Sequence, residues 1–429
     1  MLRLTPEEEA MASGARGKAA EKAMDLLIRY AQALGAERFV ETHNVAGVPG
    51  SAPQWLKDKY KDDGGDYRAV FCKFDLDAEE VFDVPVMTGN ACHLQGGMDP
   101  ELWREQGFAA DAYANAQRDE RETAALNIRN LKTCTPYLAG NTPTFGEHCA
   151  WMESSAVVYC NSVLGARTNT EGRESTSAAM ITHRIPDWGF HRDEFRLGDH
   201  LVEVDVPVDN IFEWGMLGYY VGEIVQEEIP VIDGAIANAG LIELKHFGAA
   251  AASSGGVEMY HLVGKTPEAP TRDKAFGGKI IKSRIRYGAQ ERRQTYENLN
   301  LRGKSTDVDY VMLGCPHAAI DQIAEAARLL DGRKLNAKTA LWIFTSRHVR
   351  AEAQAKGLVD IIRKAGALVM TDTCSAIAQS VPKGTKVVAL DSAKQTHYLP
   401  AFLGIEAWYG TTEDCINAAL TGKWRGSLS

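Results

Sequence analysis

With 429 residues, 45% of them hydrophobic and 24% charged, and a formal net charge of −10, the chain is longer than one hydrophobic core usually serves, so two or three α/β units are expected. The acidic balance excludes a nucleic-acid surface, which needs a basic stripe to displace counterions. No apolar run is long enough to span a membrane.

The N-terminus has no signal-peptide layout; it opens a helix, with Thr5 as cap, Pro6 at the first helical position and Glu8 completing a capping box. A strand is expected over 38–43, followed by a turn-rich stretch through Gly47, Val48, Pro49 and Gly50. A second strand at 84–87 runs into the polar tip Thr88-Gly89-Asn90. Residues 100–129 are charged and alanine-rich, a solvated helix with no chemistry of its own. Residues 133–191 differ: dense in Thr, Ser, Asn, Gly, Pro and Arg, they suit loops packed against a ligand.

Short apolar strands follow at 201–207 and 230–235, then an Ala/Gly/Ser run at 249–256. That run lacks the Gly-Lys-Ser/Thr ending of a phosphate loop and reads as tight backbone packing. A polar stretch at 265–275 marks a boundary, giving expected units at 1–200, 201–275 and 276–429, and 276–298 is basic with a helical pattern. Four segments then run from an apolar stretch through a polar tip into a helix-like stretch. Their tips carry Cys315 and His317, then Thr345, Ser346 and Arg347, then Asp372 and Cys374, then Ser392 and Lys394. In a parallel sheet such tips share one edge, where ligands bind. Thiolates with hydroxyls and a guanidinium suit an iron or iron–sulfur site that holds a small carboxylate.

The remaining cysteines are Cys72, Cys92, Cys134, Cys149, Cys160 and Cys415. Their scatter without a secretory signal reads as a reduced, cytoplasmic protein, in which a thiol is a buried apolar group or a metal ligand. No Cys-x-x-Cys pair occurs, so any cluster must be assembled from distant loops. Cys134 sits in the polar, turn-like Thr-Cys-Thr-Pro-Tyr, where a packing cysteine has little to pack on. With Cys315 and Cys374 it forms the expected ligand set. Cys72, Cys149, Cys160 and Cys415 fall in apolar or helical contexts, and Cys92 stands between the two readings.

The block Glu153-Ser-Ser-Ala-Val-Val-Tyr-Cys160-Asn-Ser-Val-Leu-Gly-Ala-Arg167-Thr-Asn169, with Gly314-Cys-Pro-His317, Thr345-Ser-Arg347, Asp372-Thr-Cys374 and Ser392-Ala-Lys394, closely resembles the catalytic large subunit of the aconitase X family. The resemblance covers nearly the whole chain. It implies an aconitase-like α/β architecture of several subdomains with parallel sheets, the active site lying at strand C-terminal ends. It also implies a hydro-lyase carrying an iron–sulfur cluster, and a separate small swivelling-domain subunit that supplies a serine. Members of the family dehydrate cis-3-hydroxy-L-proline or mevalonate 5-phosphate. This sequence departs from the pattern at Pro49, where a serine is usual, and at 91–98, which is richer in potential ligands.

Arg167 lies among small residues with no sequence-local carboxylate, which favours a bidentate clamp on a substrate carboxylate; Arg347 follows the same logic. His43 and His317 are candidates for acid–base work or for backbone anchoring, with Ser346 beside them as a catalytic candidate. Gly47, Val48, Thr88, Asn90, Asn161, Ser162, Thr345, Ser392 and Lys394 complete the expected substrate site. Ser154 and Ser155 either cap a helix or present its amides to an anion. With no extra phosphate cradle visible, cis-3-hydroxy-L-proline is favoured over mevalonate 5-phosphate. A mononuclear-metal hydrolase and a non-catalytic binding subunit are the competing classes.

Overall fold

The computed structural model describes residues 1–48, 84–94, 96–237 and 239–428. The first helix, Pro6–Ala12, has the expected capping box, with the Thr5 amide donating to Glu8 at 2.8 Å. Helix Lys18–Leu34 buries Ala23, Met24, Leu27 and Ala31 in a core shared with Ala178 and Ala179 of helix Arg173–Thr182.

The first unit contains β1 (Phe39–Glu41), β2 (Asn44–Gly47), β3 (Asn90–His93), β4 (Arg129–Asn130), β5 (Cys149–Trp151) and β6 (Arg184–Pro186). β4-β3-β2-β5 form a parallel sheet, while β1 and β6 pair antiparallel. Two strand expectations are corrected here. The stretch read as a turn at 44–47 is itself the central strand β2, and the strand expected at 84–87 forms later, at β3, because Asn90–His93 is the segment in register with Asn44–Gly47. Val84 and Met87 serve as core residues instead.

The second unit is a parallel sheet, β10-β7-β8-β9, built from β7 (His200–Val208), β8 (Pro230–Ile236), β9 (His261–Leu262) and β10 (Ser283–Tyr287). β10 pairs with β7, so this sheet continues past the boundary expected at residue 275, and the basic stretch 276–298 supplies a strand before its helix. The Ala/Gly/Ser run lies in helix Leu241–Gly255, packed on helix Ile211–Val225. A Cβ on Gly255 would sit 1.9 Å from the Gly222 carbonyl oxygen, so the run serves close helix contact.

The third unit holds the four repeated segments in a parallel sheet, β13-β12-β11-β14-β15. Its strands are β11 (Tyr310–Ala318), β12 (Ala340–Thr345), β13 (Leu368–Thr371), β14 (Val387–Leu390) and β15 (Glu406–Tyr409). Val311, Leu313, Ile343, Val369 and Ala389 bury one face; Met312, Phe344, Met370, Val388 and Leu390 bury the other. The chain winds from β11 out to β13, then returns to lay β14 on the opposite side of β11. This is a topological switch point, where a crevice opens beyond the strand ends. The β11–β12 ladder shifts register after Leu313, at Gly314, whose φ of +88° and a Cβ distance of 2.2 Å to the Phe344 carbonyl oxygen require glycine. The chain after it, Cys315-Pro316-His317, is thereby thrown into the crevice.

Candidate active site

A cavity of about 420 Å³ occupies this crevice and is lined on its far side by the first unit. Cys315 and His317 reach it from β11, Thr373 and Cys374 from the end of β13, and Lys394 and Gln395 from the end of β14. The first unit contributes Val48, Cys134, Glu153 and Ser154. All three expected ligand cysteines therefore line one cavity.

Each sulfur already accepts an N–H. The His317 amide donates to Cys134 Sγ at 3.2 Å, Gln395 Nε2 to Cys315 Sγ at 3.2 Å, and the Ile377 amide to Cys374 Sγ at 3.5 Å. Burial raises all three thiols, Cys374 to about 12, and the nearby Lys394 ammonium acts in the opposite direction on each. Thiols so placed ionise when a cation arrives in the cavity. Among the described residues no group of three His, Cys, Asp or Glu side chains is near enough to hold a single metal ion. Three thiols lining one cavity are the donor type an iron–sulfur cluster takes.

The Cys374 loop is held across the units. The buried Asp99 carboxylate accepts from the Thr371 amide at 2.6 Å, and Gln106 donates to Thr373 Oγ1 at 3.0 Å. Lys394 is tied to Glu153 at 2.7 Å, Ser155 Oγ at 2.6 Å and Ser154 Oγ at 3.3 Å. Glu153 is also the cap of helix Ser154–Tyr159, accepting from the Ala156 amide at 2.8 Å. The serine pair therefore does not cap the helix; it faces the lysine. Glu153 had no sequence signal, because glutamate is not a favoured cap and its partner lies 241 residues away.

Several expected site residues lie elsewhere. Arg167 does have a carboxylate partner, Asp193, and also donates to the His191 carbonyl at 2.9 Å; it bridges its own loop and does not line the cavity. Arg347 is engaged by two carboxylates, donating from Nε to both Asp372 oxygens at 2.8 Å and from Nη1 and Nη2 to the Glu120 oxygens at 2.7 and 2.8 Å. Ser346 and Thr345 are structural. The Ser346 hydroxyl caps helix Arg347–Ala355, and Thr345 donates to the Ala318 carbonyl. His43 is exposed, bonded to Glu41 at 2.8 Å and packed 4.6 Å from the His183 ring, outside the cavity.

His317 lines the cavity with both ring nitrogens engaged. A carbonyl only accepts, so Nε2 donates to the Thr373 carbonyl at 2.9 Å and Nδ1 accepts from the Thr133 hydroxyl at 2.8 Å. Burial lowers it to about 4, leaving a neutral anchor instead of a free base. Asn161 donates to the Thr168 and Glu258 carbonyls, and Ser162 Oγ accepts from the Tyr260 amide. Thr88 bonds the His183 ring, Asn90 donates to Asn141, and Gly47 is buried in β2. Ser392 caps helix Ala393–Leu403 beside Cys315. Cys92, Cys149, Cys160 and Cys415 are buried, and Cys72 lies outside the described residues.

Residues 1–194, 198–297 and 308–421 match, in order, the first, second and third domains of aconitase X. The chain belongs to the aconitase X family. Among its relatives, the phosphomevalonate dehydratase large subunit of Methanocaldococcus jannaschii is 35% identical, covering 96% of this chain and 99% of that one. The cis-3-hydroxy-L-proline dehydratase of Pseudomonas aeruginosa is 34% identical over 98% of this chain and 70% of that protein. The holo-form crystal structure of Thermococcus kodakaraensis aconitase X superposes with a TM-score of 0.80 at 27% identity, covering 97% of this chain and all of the other. As an aconitase X the chain is a dehydratase, a hydro-lyase, which sets aside the hydrolase and non-catalytic readings. Among the described residues no helix is long and apolar enough to cross a membrane.

Proposed function

We propose that this chain is the large subunit of a two-subunit iron–sulfur hydro-lyase acting on a small hydroxy acid, cis-3-hydroxy-L-proline. The observation that carries the reading is the cavity shared by Cys134, Cys315, Cys374 and Lys394. The three cysteines would hold the cluster, which, when bound, supplies Lewis-acid chemistry to a departing hydroxide.

The chain's own groups do the rest. The Lys394 ammonium, whose charge Glu153 favours, would exchange its bond to Ser154, at 3.3 Å the longest of its three, for the substrate carboxylate and stabilise negative charge growing on it as the α-proton leaves. His317 has no free nitrogen to receive that proton, and among the described residues no other histidine lines the cavity. The family resemblance implies that the small partner supplies a serine to the site, and we take that serine as the base. That relatives matched along their whole length are named large subunits supports such a partner.

The charge balance supports the substrate. Among the described residues Lys394 is matched by Glu153, Lys132, the other cation of the lining, pairs with Glu120 at 2.8 Å, and no arginine lines the cavity. A hydroxyproline brings one charge of each sign to such a site. A phosphate ester brings roughly −1.5 to −2 and wants unpaired donors. The second reading, mevalonate 5-phosphate, is favoured by the names of the whole-length relatives. Coexpression with the small partner and anaerobic assay of both compounds decides between them. Consumption of cis-3-hydroxy-L-proline with kcat/KM at least about tenfold higher is expected; preferential turnover of mevalonate 5-phosphate would transfer the assignment.

A further inference from the structure

Lys245, on helix Leu241–Gly255 of the second unit, is 2% exposed, and its ammonium spends its donors on neutral oxygens. It bonds the carbonyls of Pro316 at 3.2 Å and His317 at 2.8 Å, and Gln322 Oε1 at 2.8 Å. Gln322 is fixed in turn by the Ala319 amide and the His246 ring. Among the described residues no carboxylate lies within ion-pair distance of Lys245, although a buried cation is costly without a counter-charge. Burial lowers the Lys245 ammonium to about 8.

One peptide group connects this lysine to a sulfur. The carbonyl of Pro316 accepts from Lys245, and the N–H of the same peptide, that of His317, donates to Cys134 Sγ at 3.2 Å. A cation on the carbonyl polarises the peptide and strengthens its N–H toward the sulfur. The next carbonyl, His317's, is gripped as well, so the loop that presents Cys315 is pinned from behind.

We propose that Lys245 is a positioning residue for the iron–sulfur site: an internal counter-cation that offsets thiolate charge and aims the Pro316–His317 peptide at Cys134. The inference rests on the cluster reading above. Three thiolates add negative charge to a dry cavity, and net charge with hydrogen bonds to sulfur sets a cluster's potential.

The test uses the coexpressed, anaerobically purified enzyme with Lys245→Gln, which keeps N–H donors but removes the charge, and Lys245→Met, which removes both. The expected result is a cluster midpoint potential lowered by at least about 59 mV in both, a tenfold change in the reduced-to-oxidised ratio for one electron. Loss of visible absorption to an iron chelator should also quicken at least about tenfold, more in Lys245→Met than in Lys245→Gln. Folded variants that hold the small partner yet assemble no cluster would equally support the role. Wild-type potential and chelator resistance in both variants would overturn it, as would unfolding of both, which would assign Lys245 to the core alone. A wild-type enzyme lacking iron and sulfide would overturn the cluster reading itself, a distinct outcome.

Discussion

The Lys394 ammonium lies 2.7 Å from Glu153 Oε1, joining the loop after β14 in the third unit to the helix start after β5 in the first. Charge within the cavity is thus set by a pair assembled from opposite ends of the chain.

Lys394→Met should lower kcat/KM about a hundredfold, the loss of one charged contact to the carboxylate worth roughly 2–3 kcal/mol. Arg167→Lys should leave kcat/KM within about threefold, because Arg167 binds Asp193 and a backbone carbonyl. Steady-state kinetics of the two variants on the assembled enzyme check this. A larger loss at Arg167 would return the carboxylate clamp to that residue.

Replacing Cys134, Cys315 or Cys374 with serine should each abolish the visible absorption of the anaerobic protein. Cys160→Ser, at a buried position away from the cavity, should keep it. Retention of full absorption by any of the first three would remove that cysteine from the ligand set.

Ser346→Ala deletes a helix cap whose hydroxyl accepts from the Val349 amide at 3.3 Å. The expected cost is about 0.5–2 kcal/mol in denaturant unfolding, with kcat within about twofold of wild type. A collapse of kcat without loss of stability would restore Ser346 as a catalytic group.

The four strand-to-tip transitions of the third unit were legible because apolar runs ending in polar tips obey a simple rule, and that rule placed Cys315, Cys374 and Lys394 on one edge. Cys134 was legible as a thiol with nothing apolar around it. The arginines' carboxylate partners were not legible for a physical reason: Asp193 is 26 residues from Arg167 and Glu120 is 227 from Arg347, and a long-range ion pair leaves no local pattern. His317 was half legible, since its place at a strand end is local but the bonds that occupy its ring come from Thr133 and Thr373. The strand expected at 84–87 failed because register with β2, not apolar content, selects which residues pair.

Glu171 gives a pH dependence independent of the cavity. Burial raises its carboxyl to about 7, with Glu258 acting in the same direction. Between about 4.5 and 7 the native state holds a proton that the unfolded chain has released, so this contribution is fully present below pH 4.5 and is lost as pH rises through 7. The loss amounts to about 3 kcal/mol. Glu171→Gln should flatten that part of the stability profile in urea unfolding from pH 5 to 8. An unchanged slope would mean that Glu171 is ionised in the native protein.

The most direct measurement is the iron and acid-labile sulfide content of the anaerobically purified chain, alone and with its small partner. Iron and sulfide present together in the wild type, and both lost in Cys315→Ser, are expected. Iron without sulfide, or neither, would contradict an iron–sulfur hydro-lyase built on these three cysteines.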